Sequence, residues 1–243
     1  GGIVAIPTET VYGLAGNALD GSVTQKIYKA KGRPSDNPLI IHIAKPEDAE
    51  RYAVTHPIYY RLAKAFMPGP LTVILPKKDT IPLSTTGGLD TVAVRCPAHP
   101  VAHRLISLLG EPIAAPSANL SGKPSPTNAQ HVAQDMDGRV DMILDGGDCE
   151  IGLESTIVKI DGDFLTLLRP GGITYDALSE KLGERLVMLP ERLIHQSGYN
   201  TAMCGLRLYR DGVRTTDFEL VPVYLRPSQA ERMRMEKLKN ENN

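Results

Sequence analysis

"SVTQKIYKAKGRPSDNPLIIHI", residues 22–43, decides the fold, because it holds both kinds of regular structure and the sharp change between them. Residues 22–31 read as a helix that Ser22 can cap and Gly32 ends. Residues 39–43, "LIIHI", are the short apolar run of a buried strand. A helix, a Gly/Pro turn and then a core strand are the units of an α/β layer. The turn is unusual. Lys29, Lys31 and Arg33 crowd its start, and a histidine interrupts the strand that follows.

The same alternation runs outward in both directions. Residues 2–7 are apolar and β-branched and stop at Pro7, and helical stretches fall near 46–53 and 57–66. "PLTVILP" (70–76) and "TVAVRCP" (91–97) read as strands, 99–109 as a helix and "PIAAP" (112–116) as a strand. Thr127, with Gln130 three residues on, has the capping-box pattern of a helix start. Strands are expected near 141–144, 154–160 and 164–169, and a helix near 174–182. The pattern predicts an α/β fold: a twisted mixed sheet with flanking helices. Composition shifts near residue 190. Residues 191–243 hold nine Lys/Arg and seven Asp/Glu and end in "AERMRMEKLKNENN", which reads as a solvated helix that frays. We expect one domain over 1–188 and a tail over 189–243 that is not an independent domain.

Bulk properties narrow the function. In 243 residues, 42% are hydrophobic and 23% charged, enough for a buried core. A net charge of −1 excludes a generally basic nucleic-acid coat, though not a local basic patch. Cys96, Cys149 and Cys204 are far apart, without CxxC or His/Cys spacing, so neither a disulfide framework nor a metal site is expected. A reducing, cytoplasmic location fits this usage. No apolar run approaches the roughly 18–20 residues of a membrane span, and no leader of the signal-peptide kind is present. The opening "GGIVAIPTE" already reads as a core strand, so the chain is expected to begin inside a domain.

Polar residues gather in the connections, where an α/β fold keeps its site. "PTETVYG" (7–13) offers two hydroxyls, a carboxylate and a tyrosine, or simply a turn that caps a helix. Lys31 and Arg33 in a Gly/Pro turn suit a polyphosphate, the alternative being a solvated basic turn. His42 in "LIIHI" needs a hydrogen-bond partner, whether in the core or at a ligand. "APSANLSGKPSPT" (115–127) is longer and more polar than a simple connection needs. "GLESTIV" (152–158) and "LLRPG" (167–171) add Glu154, Ser155 and Arg169; Arg169, either a surface residue at a strand end or part of the site, would complete a ring of cations with Lys31, Arg33 and Arg95 of "VAVRCP". Neither GxxxxGK[ST] nor GxGxxG occurs. Sites rich in Arg, Lys, Ser, Thr and Asn and poor in nucleophiles suit phosphoryl or nucleotidyl chemistry, which rests on positioning and charge.

"PTETVYGL", "KGRP…NPL…H", "VAVRCP", "APSANLSGKPSPT" and "GLESTIV…LLRPG", in this order and spacing, resemble the YrdC/TsaC family of threonylcarbamoyl-AMP synthases over about residues 1–188. The resemblance implies a YrdC-like twisted sheet around a large cationic cavity, with the family's first helix missing. It implies the conversion of L-threonine, bicarbonate and ATP, with Mg2+ on the nucleotide, to threonylcarbamoyl-AMP and pyrophosphate. The adenylate then serves modification of adenosine 37 in tRNA. Carried over by residue, Thr10, His42, Arg95, Ser117 and Ser155 become the threonine pocket, with Arg95 facing the carboxylate. Lys31, Arg33, Asn37, Thr91, Asn119, Thr127 and Arg169 become the ATP contacts, with the catalytic pair Lys31 and Arg33 on the phosphates. The partners implied are small-molecule substrates, tRNA-modification proteins of the TsaB/TsaD type, and RNA, with no membrane. Residues 196–243 resemble the tail of TsaB. The alternative is a double-stranded RNA or tRNA-binding module of the same fold, which would not require His42, Ser155 and Asn119. A carbamoyl-transfer domain of hydrogenase maturation would bring zinc-finger-like cysteine pairs, absent from this sequence.

Overall fold

The computed structural model describes residues 1–188, which belong to one unit, Gly1–Leu189. The tail over 189–243, with Cys204 and the TsaB-like stretch, lies outside the described residues. The chain runs β1 (Val4–Ile6), β2 (Gly13–Asn17), α1 (Gly21–Lys31), β3 (Ile40–His42), α2 (Ala49–Tyr52), α3 (Pro57–Phe66), β4 (Leu71–Pro76), α4 (Leu83–Thr86) and β5 (Thr91–Arg95). It continues α5 (Pro100–Leu109), β6 (Ile113–Ala114), α6 (Ala129–Met136), β7 (Met142–Ile143), β8 (Thr156–Asp161), β9 (Phe164–Arg169), α7 (Tyr175–Leu182) and β10 (Leu186–Met188). The strands form one mixed sheet in the order β10-β9-β8-β4-β5-β3-β6-β2-β1-β7. This is the mixed α/β sheet with flanking helices that the alternation predicts.

The register explains why the two faces of the sheet differ. Ile41, Val94, Val73 and Val158 lie side by side across β3, β5, β4 and β8. All four are fully buried. They join Ile27 of α1, Leu62 of α3 and Leu178 of α7 in the main core. Each such side chain contributes about 1.5–3 kcal/mol by leaving water. Alternation then sends the intervening residues to the other face. His42, Arg95, Thr72 and Ile157 form one row there, and Ile40, Ala93 and Ile74 the next. At one end of that face Ile6, Ala15 and Ile113 pack with Ala102 and Ile106 of α5 as a second cluster. Between that cluster and β9 the face is a cavity.

Local signals are partly reassigned. α1 is capped by Asp20, whose side chain accepts from Ser22 N at 2.8 Å, so Ser22 itself lies inside the helix. Gly32 ends the helix as expected, at φ +61°, where its N–H returns to Tyr28 and Lys29 carbonyls. α6 is capped by Asn128, accepting from His131 N at 2.9 Å, and not by Thr127. "PTETVYG" caps no helix; it links β1 to β2. β2, "GLAGN", is a strand outside those expected from the sequence. Gly16 stands there because α1 lies directly on the strand: a Cβ would collide with Val23 and come within 3.3 Å of Ile27 and Ile3.

Candidate active site

The cavity has a volume of about 250 Å³. Its floor is Ile40, Ala93, Ile74 and Ile157, and its polar lining includes Thr10, Arg33, Asn37, His42, Arg95, Ser117, Glu154, Ser155 and Arg169. Eight of the twelve residues singled out from the sequence therefore converge on it. Lys31, Thr91, Asn119 and Thr127 do not line it.

The turn after β1 builds one wall. Thr8 Oγ1 donates to Val11 O at 2.6 Å and accepts from Thr10 N and Val11 N, which folds the turn on itself. This presents Glu9 and Thr10 to Arg95. Arg95 Nη2 donates to Glu9 Oε1 at 2.7 Å and to Thr10 Oγ1 at 2.9 Å. The ion pair is buried on both sides. Arg95 Nε is buried and has no hydrogen-bond partner among the described residues.

His42 sits opposite Arg95 in the register. Its Nδ1 is 3.2 Å from Ile40 O, and a carbonyl can only accept, so Nδ1 carries the proton. Burial, and after it Arg95, push His42 down to about 3. The imidazole is thus neutral at working pH and offers Nε2 as an acceptor, not as a base.

The far wall comes from β8 and β9. Ser155 Oγ is 2.8 Å from Thr72 Oγ1, and Arg169 Nη2 donates to Ser155 Oγ at 3.1 Å and to Ser155 O at 2.8 Å. Arg169 Nη1 donates to Glu154 Oε2 at 2.5 Å, and Ser125 Oγ donates to Glu154 Oε1 at 3.0 Å. Burial lowers the Arg169 pKa, Glu154 opposing it. Arg169 reaches this face through an irregularity in the ladder. Val158 pairs with Leu167, but Ile157 pairs with Arg169, so Leu168 is an extra residue. Strict alternation from Leu167 would send Arg169 to the core face; the bulge re-aims it.

Lys31 ends α1 as the helix reading over 22–31 has it, but it is not presented to the cavity as a turn cation would be. It is buried, and its Nζ donates to the carbonyls of Ser117 and Asn119, the latter at 2.7 Å. Nζ also lies 3.3 Å from Asn119 Oδ1. Burial first, then Arg33, push its amine from 10.5 down to about 7. Asn119 ties its own loop, donating from Nδ2 to Leu120 O at 2.8 Å and to Lys123 O at 2.7 Å. Arg33 Nη2 donates to Asn37 Oδ1 at 2.5 Å and to Pro38 O at 3.0 Å. Thr91 stands on the cavity face of β5 but beyond the lining, and Thr127 Oγ1 lies 3.4 Å from His131 Nδ1. The ring of cations is therefore balanced by two carboxylates. Thr72 is not among the sequence candidates, and Glu9 enters them only as the unassigned carboxylate of "PTETVYG". The only signal for Glu9 is its place between two threonines at a strand end, and for Thr72 its alternation with Leu71 and Val73.

One face of this α/β sheet is covered by helices, and the other opens as a cavity lined by arginines and hydroxyls. The Sua5/YciO/YrdC family model, described as telomere recombination, matches residues 1–171, and the chain belongs to that family. It is 55% identical over 185 residues to a threonylcarbamoyl-AMP synthase of Pyrococcus abyssi, covering 76% of this chain and 54% of that protein. The chain thus spans about half the length of that relative. It is 35% identical over 179 residues to a putative threonylcarbamoyl-AMP synthase of Methanocaldococcus jannaschii, covering 74% of this chain and 84% of that one. The crystal structure of P. abyssi Sua5 complexed with L-threonine superposes with a TM-score of 0.76 at 52% identity, over 81% of this chain and 58% of that one.

Proposed function

We propose that residues 1–188 form the catalytic domain of a threonylcarbamoyl-AMP synthase, a nucleotidyltransferase that joins L-threonine, bicarbonate and ATP. The observation that carries this reading is the single row on the open sheet face, His42, Arg95, Thr72, Ile157 and Arg169, within a fold shared with a threonine complex. Arg95 and Arg169 lie three strands apart, roughly 14 Å at about 4.8 Å per strand. An amino acid fits at one end and a nucleotide at the other. Arg95, Thr10, His42, Ser117 and Ser155 would take threonine; Arg33, Asn37 and Arg169 would take the nucleotide. Lys31 and Asn119 would act on it through the 117–119 backbone they hold. The cavity is at the small end for a ligand pocket, which suits threonine and leaves the nucleotide extending through the mouth.

Bicarbonate yields CO2 on losing hydroxide, the neutral threonine amine bonds to the CO2 carbon, and the proton the amine loses joins that hydroxide, so a carbamate and water form. A carbamate oxygen then attacks the α-phosphorus, and pyrophosphate leaves with the bridging electrons. The chain supplies alignment and charge neutralisation. Among the described residues no three metal-ligating side chains converge. The two carboxylates at the cavity are each bound to an arginine. This donor set does not fit a resident metal; Mg2+ would arrive on the ATP phosphates as part of the substrate. No helix among the described residues is long and apolar enough to cross a membrane. A cytoplasmic location, and docking with TsaB/TsaD-type proteins or RNA, are proposed from the resemblance alone. The test is incubation with ATP, bicarbonate and labelled threonine. Pyrophosphate and a labelled adenylate should appear only with all three. Equal pyrophosphate release without threonine refutes the reading.

A further inference from the structure

We infer that Glu9 is a positioning residue for the amino-acid end of the cavity: it holds the Arg95 guanidinium in the one orientation from which a substrate carboxylate can be received. The inference rests on the synthase reading and adds to it a residue that does not line the cavity.

Glu9 is 6% exposed and Arg95 4%, so water does not share their contact. Glu9 is anchored at three atoms. Its Oε1 accepts from Arg95 Nη2 at 2.7 Å, its Oε2 accepts from Ala98 N at 3.1 Å, and its backbone carbonyl accepts from Ile151 N at 2.9 Å. Both hydrogens of Nη2 are thereby spoken for, one by Glu9 and one by Thr10 Oγ1. Nε and Nη1 make no hydrogen bond within the described residues, and Nε is fully buried. A buried guanidinium donor without an acceptor is costly. An anion entering the cavity meets Arg95 at Nη1, the donor that Glu9 and Thr10 leave open.

The energetics point the same way. A buried ion pair is weak support for stability, since well-packed apolar residues of equal volume often do as well or better. Here Arg95, one member of the pair, lines the cavity, so orientation accounts for the pair better than stability does. Glu9 also cancels the charge of Arg95. Affinity for a carboxylate at this point then depends on the aim of the remaining donors more than on net positive charge. Through Ala98 N the same carboxylate sets the start of the segment that leads from β5 into α5, so Arg95 and its surroundings are fixed together.

The test is Glu9→Gln, which keeps the shape, removes the charge and cannot accept from both Nη2 and Ala98 N. Threonine KM should rise at least about tenfold while ATP KM stays within about twofold, and threonine affinity by calorimetry should fall in parallel. Glu9→Asp keeps the charge but shortens the reach by one methylene, and it is the measurement of record if the glutamine variant does not fold. It should raise threonine KM by a smaller factor. In an Arg95→Met background, Glu9→Gln should change threonine affinity no further, because Glu9 acts only through Arg95. A folded variant with unchanged threonine KM, or one in which ATP and threonine KM rise together, overturns the inference while leaving the synthase reading intact. A wild-type chain that binds no threonine overturns both.

Discussion

Lys31→Met replaces a buried ammonium with an apolar side chain of similar length, and the pH dependence of stability should change with it. In the folded chain burial and Arg33 push the amine from 10.5 down to about 7; unfolded, it titrates at its ordinary value. Above that ordinary value both states are neutral and nothing is lost. As pH falls toward 7 the unfolded state takes up a proton that the folded state declines, so stability falls by about 1.4 kcal/mol per pH unit, and below 7 the loss is complete. The methionine variant has no such slope. Between pH 9 and pH 7 the wild-type chain should therefore lose about 2 kcal/mol relative to the variant. At any single pH the sign is mixed, because the substitution also removes the donor to the Ser117 and Asn119 carbonyls. With the folded amine neutral above pH 7, each such hydrogen bond is worth about 0.5–1.5 kcal/mol. The difference in slope is the test. Urea unfolding at pH 7, 8 and 9 on both chains measures it, and parallel curves refute the reasoning. A triphosphate near Lys31 would favour the charged amine, so ATP binding at pH 8 should take up a proton. Calorimetry in buffers of different ionisation heat reads this, and the uptake should vanish in Lys31→Met.

Gly16→Ala should cost about 1–3 kcal/mol, because the new methyl meets Val23, Ile27 and Ile3 where α1 lies on β2. Thermal melting should show a lower midpoint, and an unchanged one would mean the helix has room to shift. Arg33→Lys should weaken ATP at least about tenfold, about 1.4 kcal/mol, with threonine less affected, since a lysine cannot reproduce the guanidinium fork; unchanged ATP binding by calorimetry returns the turn to solvated surface. Thr72→Val removes the hydroxyl 2.8 Å from Ser155 Oγ. It should cost about 1 kcal/mol and weaken threonine more than ATP, and equal losses for the two ligands would place Ser155 elsewhere in the reaction.

Much of this molecule is legible in the sequence because periodicity and punctuation coincide. "LIIHI" and "TVAVRCP" announce buried strands, and Gly32 marks the end of α1 at a backbone angle that favours glycine. The convergence of Thr10, His42, Arg95, Ser117, Ser155 and Arg169 is legible only through the spacing of whole motifs. No local rule brings residues so far apart in the chain onto one sheet face. Three features were not readable. β2 is hidden because the glycine that lets a helix approach a strand is also the residue that marks a loop. The burial of Lys31 is hidden because nothing local shows that helix α1 ends against the 117–119 backbone. Glu9 looked like one polar residue among several because its partner lies 86 residues away.

Arg169 shows how far alternation can be trusted in such a sheet. In "FLTLLR", Leu165 is fully buried and Leu167 packs against the core, so a regular strand would carry the next odd residue to the same face. An arginine there, among Val158 and its neighbours and without a counter-charge, would cost several kcal/mol. The structure escapes by spending one extra residue, Leu168, which is 43% exposed and opposes nothing across the ladder. Arg169 then falls opposite Ile157, within reach of Glu154 and Ser155. The cost is one unpaired residue and one exposed leucine; the return is a cation at the end of the row that begins with His42. A strand that needs a bulge to place its only charged side chain in the cavity is built around that side chain, and this supports the nucleotide-binding role proposed for Arg169.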